Sequence, residues 1–186
     1  MPEILTQLGG KFSREDDGIF VLKKKLTDSG AIVRFPEGDS IIGDHNGIPI
    51  TFNSDEKDFY QVELEYLAAI KNCSCHIIYN HKPNIPGYIG ESASVEILYA
   101  IAHNKPIVVI HKPIVISSTV WEKVSRILEK NTPTFTQIRL DLLPPAFIME
   151  ELERITTSAP NYNLTPQERN DVFTFVLRLI KSYKNR

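Results

Sequence analysis

The sequence predicts a doubly wound α/β fold, in which a sheet of about five parallel strands carries helices on both faces and extra helices follow at the C-terminal end. The first observation is that strand-like and helix-like segments alternate between residues 4 and 140. The second is a length of 186 residues with 42% hydrophobic and 24% charged residues, which suits one domain with a sizeable core. The third is that residues 144–186 have the pattern of two further helices.

The predicted strands are short apolar segments, at residues 4–8, 31–35, 75–79, 106–110 and 134–140. The predicted helices cover residues 13–29, 54–72, 92–103, 117–130 and 144–157, and a final helix starts at Thr165. Such alternation favours a parallel sheet covered on both sides, as in Rossmann-like and flavodoxin-like domains.

Several element boundaries carry local signals. Ser13 has the position of an N-cap with acidic residues in the turn after it, and Gly30 stops that helix. The segment Thr165-Pro166-Gln167-Glu168 is a capping box with proline at the first helical position. Residues 37–53 interrupt the alternation, and their glycines and aspartates predict a long loop or a small hairpin.

We expect an α/β domain over residues 1–143 and a helical extension, residues 144–186, packed on the same domain. In doubly wound folds, ligands bind beyond the carboxyl ends of the strands, where the strand order switches. Three loops should meet at that edge: residues 9–14, the loop after Phe35, and residues 80–91.

Composition excludes several classes of partner. The formal net charge is −2, and the only basic cluster, Lys23 to Lys25, is read as a solvated helix face, so we expect no nucleic-acid polymer as partner. No apolar run reaches the roughly 18 residues of a membrane helix, so no membrane partner is expected. The first residues lack a signal-peptide pattern, and only two cysteines are present, which favours a cytoplasmic location.

A metal site is not predicted. Cys73 and Cys75 stand too close in sequence for an ordinary disulfide, and His76 and His81 follow them. No second Cys/His cluster completes a zinc site, and in a strand Cys75 and His76 would point to opposite faces.

One acid lies in an unexpectedly apolar helix. Residues 92–103 are apolar on nearly every side, which is typical of a buried helix, yet Glu96 lies near the middle. An unpaired buried carboxylate costs free energy or has a raised pKa, so Glu96 calls for a functional explanation.

A second acid repeats this anomaly in the helix predicted at residues 54–72. The apolar face of that helix is formed by Phe59, Val62, Tyr66, Leu67 and Ile70. Glu63 falls inside this face, whereas Glu65 falls outside it and is read as a solvated charge. Glu63 is either a carboxylate paired with Lys or Arg at the edge of the stripe, or half of an acid pair with Glu96.

Two segments could bind an anion. Gly9-Gly10-Lys11 follows the first strand, and its backbone N–H groups together with Lys11 and Arg14 could approach a phosphate. Ser117-Ser118-Thr119 lies at a helix start, where the alternative is simple capping.

Three stretches together resemble the nucleoside 2-deoxyribosyltransferase-like superfamily. They are VELEYLAAI (residues 62–70), ESASVEILYAIAHNKPIVVI (91–110) and GGKFSRED (9–16). The last is similar to the first loop of the branch of 2'-deoxynucleoside 5'-monophosphate N-glycosidases. The resemblance covers residues 4–140, and the transferases usually carry an Asp and a Gly-Thr where this chain has Gly90-Glu91-Ser92-Ala93.

The resemblance implies roles for particular residues. Glu96 would be the nucleophile that attacks C1' of the sugar, and Glu63, where the family usually has Asp, would handle the sugar hydroxyl or the base. Ser13, Ser92 and Ser117, or Ser118 in place of the last, would hold the phosphate. The full expected substrate-binding set is Gly9, Gly10, Lys11, Ser13, Arg14, Gly90, Glu91, Ser92, Ser117 and Ser118.

We therefore expect an enzyme that cleaves or exchanges the N-glycosidic bond of a (deoxy)nucleoside or its 5'-monophosphate, with no metal or organic cofactor. Lys11 and Arg14 favour a phosphorylated substrate. A homodimer or higher homo-oligomer is expected, because the Glu96 helix is apolar on more sides than one sheet face covers and the family shares sites across subunits. Two alternatives are a nucleotide-binding sensor module without turnover and a hydrolase of another ribosyl bond, such as that of NAD.

Overall fold

A five-stranded, all-parallel sheet forms the centre of the protein in the computed structural model. The structure describes residues 3–10, 18–35, 41–45, 48–51, 59–82, 85–114, 119–130, 135–158 and 160–183. Within these residues the helices are α1 (Gly18–Asp28), α2 (Phe59–Asn72), α3 (Glu91–Ala102), α4 (Thr119–Leu128), α5 (Pro145–Thr157) and α6 (Pro166–Tyr183). The strands are β1 (Leu5–Gly10), β2 (Ile32–Arg34), β3 (Ile41–His45), β4 (Ile48–Thr51), β5 (Cys75–Tyr79), β6 (His81–Lys82), β7 (Ile85–Pro86), β8 (Ile107–Val109) and β9 (Thr136–Gln137).

The strand order of the sheet is β2-β1-β5-β8-β9. The chain leaves β1 toward β2 on one side and then crosses to β5 on the other side, so the order reverses between β1 and β5. In register, Gly9 of β1 lies beside Ile78 of β5, and Gly10 lies beside Tyr79. The predicted doubly wound fold is confirmed, and its switch point lies at the carboxyl ends of these two strands.

Helices cover both faces of the sheet, and each face has its own core. On one face α1 and α5 pack on Leu8, Ile77 and Val108. On the other face α2, α3, α4 and α6 enclose Ile78 and Val109. The sequence produces this separation because neighbouring residues of a strand point to opposite faces.

The α3 helix is buried within the single chain, from Ser94 to Leu98 and from Ala100 to Ala102. The α6 helix supplies part of the cover, since the Phe173 ring lies edge-on to the Tyr99 ring at 5.6 Å and Arg169 donates a hydrogen bond to the carbonyl of Ala102. The apolar surface of α3 therefore gives no argument for a dimer. The oligomeric state stays a prediction from the resemblance.

Local signals at α6 and β5 behave as predicted. The backbone N–H of Glu168 donates to Oγ1 of Thr165 at 3.1 Å, and the N–H of Thr165 donates to Oε2 of Glu168 at 2.9 Å, which confirms the capping box. Cys73 and Cys75 are free, buried thiols. Cys75 packs in the core beside α1 and α5, whereas His76 faces α3, so the two side chains point to opposite faces as expected.

Two small hairpins accompany the sheet. Within residues 37–53, the described strands β3 and β4 pair antiparallel, as the hairpin alternative predicts. The pair β6–β7 in the loop after β5 was not predicted. The strand predicted at residues 134–140 shortens to Thr136–Gln137, because the N–H of Leu140 turns back to the carbonyl of Ile138.

None of the helices in the described part of the chain is long and apolar enough to cross a membrane. The same described ranges contain no group of three or more His, Cys, Asp or Glu side chains that could hold a metal ion.

Candidate active site

Glu96 lies in the second turn of α3, directly over the end of β1. The residue is 8% exposed, and its Oε2 atom is buried without a hydrogen-bond partner among the described residues. A Cβ atom at Gly9 would overlap this oxygen. The absence of a side chain at Gly9 therefore creates the space that the carboxylate occupies.

His76 of β5 forms the floor beneath this carboxylate. Its side chain is fully buried, and its Nδ1 atom lies 3.1 Å from the carbonyl oxygen of Gln7. Its Nε2 atom lies 3.3 Å from Oε2 of Glu96. A carbonyl only accepts hydrogen bonds, so Nδ1 carries a proton and Nε2 is the ring nitrogen that faces the acid.

Glu63 of α2 completes the predicted acid pair. It is 5% exposed, and its Oε2 atom has no hydrogen-bond partner in the described residues. Burial raises the pKa of Glu63 from 4.5 to about 8, and the nearby negative charge of Glu96 acts in the same direction. Glu63 is therefore a neutral carboxylic acid near pH 7. The alternative of a carboxylate paired with Lys or Arg has no counterpart in the described ion pairs.

Tyr66 of α2 is close enough to Glu96 and Glu63 to be influenced by their charges. Burial raises the pKa of its hydroxyl, and the charges of Glu96 and Glu63 raise it further. The hydroxyl thus stays protonated and can donate a hydrogen bond. Sequence reasoning assigned Tyr66 to the apolar face alone, although its position three residues after Glu63 places both on the same side of α2.

The sequence does not predict His76 as a site residue either, because its neighbours Cys73 and Cys75 point only to a possible metal-binding role. The available signal was its place in β5, pointing toward the face that carries the Glu96 helix. The structure thus brings together Glu96, Glu63, Gly9, His76 and Tyr66 at the β1–β5 switch point.

The structure describes some of the remaining predicted site residues, and others lie outside its described ranges. Gly10 ends β1 with φ +145°, packed so closely on the carbonyl of Tyr79 that a side chain would clash. Gly90 is the N-cap of α3, and Glu91 and Ser92 are exposed in its first turn. Ser92 lies one turn before Glu96 on the same side of the helix. The other predicted residues lie outside the described part of the chain: Lys11, Ser13, Arg14, Ser117 and Ser118.

Asn80 fixes the loops at the carboxyl edge of the sheet. Its Oδ1 atom accepts hydrogen bonds from the N–H groups of Ile110 at 3.0 Å and His111 at 2.8 Å, and its Nδ2 donates to the carbonyl of His111 at 2.7 Å. The N–H of Gly87 donates to the carbonyl of Asn80 at 2.8 Å. The loop between β5 and α3 is therefore tied to the loop after β8, which gives α3 and its acid a fixed starting point.

No protein-family model, curated protein or solved structure matches this chain in comparisons with known proteins. The class of protein is thus inferred from the fold and the site. Both define an α/β domain with a pair of inward-facing carboxyl groups at the switch point.

Proposed function

We propose that the protein cleaves the N-glycosidic bond of a (deoxy)nucleoside or its 5'-monophosphate, with Glu96 as the nucleophile. The observation that carries the proposal is the pairing of two buried carboxyl groups, Glu96 and Glu63, at the position where doubly wound folds bind ligands. Glycosidic cleavage uses such a pair, one member as a proton donor and the other as an anion toward the sugar. The resemblance of residues 62–70 and 91–110 to the nucleoside 2-deoxyribosyltransferase-like superfamily supports the same roles.

In the first step, one carboxylate oxygen of Glu96 forms a bond to the anomeric carbon while the bond from that carbon to the base nitrogen breaks. The electron pair of the broken bond goes to the base. Because Oε2 is buried against Gly9 and His76, Oε1 is the oxygen available for attack. An anionic nucleophile also stabilises the oxocarbenium-like transition state.

Glu63 supplies the proton that the departing base needs. A carboxylic acid whose pKa is raised to about 8 keeps its proton near neutral pH and transfers it as negative charge develops on the base. In the second step, the Glu63 carboxylate takes a proton from water, and the water oxygen displaces Glu96 from the anomeric carbon. A second base in place of water gives transfer instead of hydrolysis.

The nature of the substrate beyond the reacting bond is a proposal from the sequence. Lys11, Ser13 and Arg14 follow β1 and favour a 5'-phosphate, and Ser92 lies one turn from the nucleophile. These residues support a monophosphate substrate. For this substrate we propose that water, and not a second base, displaces Glu96 in the second step of the reaction.

The proposal is tested by incubating the purified protein with a panel of nucleosides, their 5'-monophosphates and NAD, and measuring free base by chromatography together with ligand binding by calorimetry. Release of a purine or pyrimidine base is the expected result. Release of nicotinamide alone would assign the site to another ribosyl bond. Binding of a nucleotide without release of any base would instead favour a sensor module and overturn the enzymatic proposal.

A further inference from the structure

His76 lies between two oxygen atoms that accept hydrogen bonds. On one side is the carbonyl of Gln7, at 3.1 Å from Nδ1, and on the other is Oε2 of Glu96, at 3.3 Å from Nε2. The ring is fully buried, and Nε2 has no other partner in the described residues. Each ring nitrogen therefore faces one oxygen atom that can accept a hydrogen bond.

A neutral His76 does not suit this position while Glu96 is ionised. The single proton of a neutral imidazole is needed on Nδ1 for the carbonyl of Gln7, which leaves a lone pair on Nε2. That lone pair would face the electron-rich Oε2 of the Glu96 carboxylate in a buried environment, where repulsion is weakly screened. A second proton, on Nε2, converts this contact into a charge-assisted pair.

We propose that His76 is a positioning residue that carries both ring protons and pairs as an imidazolium with the Glu96 carboxylate. The pair holds Oε2 toward the sheet and presents Oε1 to the anomeric carbon. The role in the reaction rests on the proposed function, whereas the charge state of His76 does not depend on it.

The charged and titratable groups around the ring are consistent with one ion pair. The α3 helix contributes the Glu96 carboxylate, and the α2 helix contributes Glu63 and Tyr66, both of which interact with the Glu96 charge. Both α2 groups stay protonated, because burial and the Glu96 charge raise the pKa of each. The β1 strand contributes uncharged groups: the Gln7 carbonyl, the Gly9 backbone and the buried side-chain amide of Gln7, which lies in register with His76. Among the residues that the structure describes, a single cation would thus face a single anion.

This pair should matter most when Glu96 leaves the sugar. In that step, the water oxygen bonds to the anomeric carbon and the ester C–O bond breaks with its electron pair returning to Glu96. The proton from water goes to the Glu63 carboxylate. The His76 imidazolium, 3.3 Å from Oε2, stabilises the carboxylate that is released, so its loss should slow ester breakdown by about ten- to a hundredfold, the size of one charge-assisted contact.

The charge state is measured without substrate, by nitrogen-15 NMR of the imidazole rings in the full chain near pH 7. His76→Gln identifies the signals of His76, and His76→Asn serves if that variant does not fold. We expect both ring nitrogens of His76 to have the shifts of N–H groups in the parent protein. In Glu96→Gln we expect Nε2 to lose its proton, while in the control Glu65→Gln, an exposed acid on α2, the signals should not change.

A neutral His76 in the parent protein, protonated on Nδ1 alone, would overturn the proposal, even if the protein releases base. A protein that releases no base from any substrate would defeat the proposed function but leave the NMR result standing. Where base is released, rapid mixing should show that folded His76→Gln slows steady turnover more than the first burst of base. An equal slowing of both phases would remove the role in ester breakdown.

Discussion

The backbone of Gly9 lies directly against the carboxylate of Glu96, so that any side chain at position 9 would occupy the place of Oε2. This contact joins the end of β1 to the second turn of α3. It also places the acid over the strand pair at which the sheet order reverses. From the sequence, Gly9 is predicted to contact a phosphate through its backbone. In the structure it has a steric function, because the absence of a side chain leaves room for the Glu96 carboxylate.

Gly9→Ala should therefore disturb the site more than the fold. The added methyl group displaces Glu96 Oε2 and approaches Cε1 of His76, which lies 3.2 Å from the Cβ position. We expect a loss of about 1–3 kcal/mol in the free energy of unfolding and about a hundredfold or more in base release. Urea denaturation and a base-release assay measure the two effects.

Gly30→Ala is the matched control, since a Cβ at Gly30 meets no atom of the described residues within 4 Å but the residue has φ +97°. It should lose stability, by about 1–3 kcal/mol, and keep its activity. If Gly9→Ala retains full activity, or Gly30→Ala loses as much, the steric role of Gly9 is wrong.

Glu63→Gln should change how stability depends on pH. In the folded protein, burial and the Glu96 charge raise the pKa of Glu63 to about 8 from an ordinary value of 4.5. Between these values the folded state holds a proton that the unfolded state has lost, so stability falls as pH rises through this window. The free energy of unfolding falls by on the order of 5 kcal/mol at most across this window. Glu63→Gln should not show this fall, because the amide that it introduces does not titrate.

The measurement is urea denaturation near pH 5 and near pH 8. The advantage of Glu63→Gln over the parent should be larger at the higher pH. Glu65→Gln, a change of an exposed acid two residues away, should follow the parent at both values. Parallel behaviour of Glu63→Gln and the parent would show that Glu63 titrates normally.

Thr165→Ala should destabilise α6 and with it the cover of α3. The variant loses the hydrogen bond from the N–H of Glu168 to Oγ1 of Thr165. Loss of such an N-cap costs about 0.5–2 kcal/mol in the free energy of unfolding. Thr157→Ala is a suitable comparison, because its hydroxyl donates a hydrogen bond within the last turn of α5, to the carbonyl of Glu153. If Thr165→Ala lowers the free energy of unfolding no more than Thr157→Ala does, the N-cap at Thr165 does not stabilise the fold as proposed.

A preference for a 5'-monophosphate should depend on Lys11 and Arg14. A charge-assisted hydrogen bond to phosphate is worth about 1.5–3 kcal/mol, so Lys11→Ala or Arg14→Ala should lower kcat/KM for the monophosphate by about ten- to a hundredfold. The same changes should leave the nucleoside nearly unaffected, as should the control Lys24→Ala, an exposed residue of α1. Equal rates of the parent protein for nucleoside and monophosphate would contradict this preference.

The sequence predicted the sheet well because its strands are short, apolar and separated by helices with clear boundaries. The segment Cys75–Tyr79 was predicted with the bounds that the structure has. The strand near residue 136 was predicted too long, since the apolar residues Ile138 and Leu140 continue the pattern while a turn ends the ladder. Periodicity cannot detect such a turn, because it depends on hydrogen bonds formed only after the chain folds.

The acids of the site were predictable for a different reason: a carboxylate on an apolar helix face breaks the pattern around it. Glu63 and Glu96 were found in this way, and both are buried. His76 and Tyr66 do not break any pattern, because a histidine in a strand and a tyrosine on an apolar face are ordinary core residues. Their proximity to the acids comes from the pairing of β1 with β5 and the packing of α2 beside α3, which are long-range contacts.

The rate of base release by Glu96→Gln, relative to the parent and to Glu65→Gln, tests the nucleophile assignment most directly. The substitution keeps the size of the side chain but supplies an amide, which cannot form the ester intermediate. On the substrate that the parent cleaves, we predict a rate at least about a thousandfold lower for Glu96→Gln and an unchanged rate for Glu65→Gln. Near-parental base release by a Glu96→Gln protein with a native circular dichroism spectrum would contradict the assignment of Glu96 as the nucleophile.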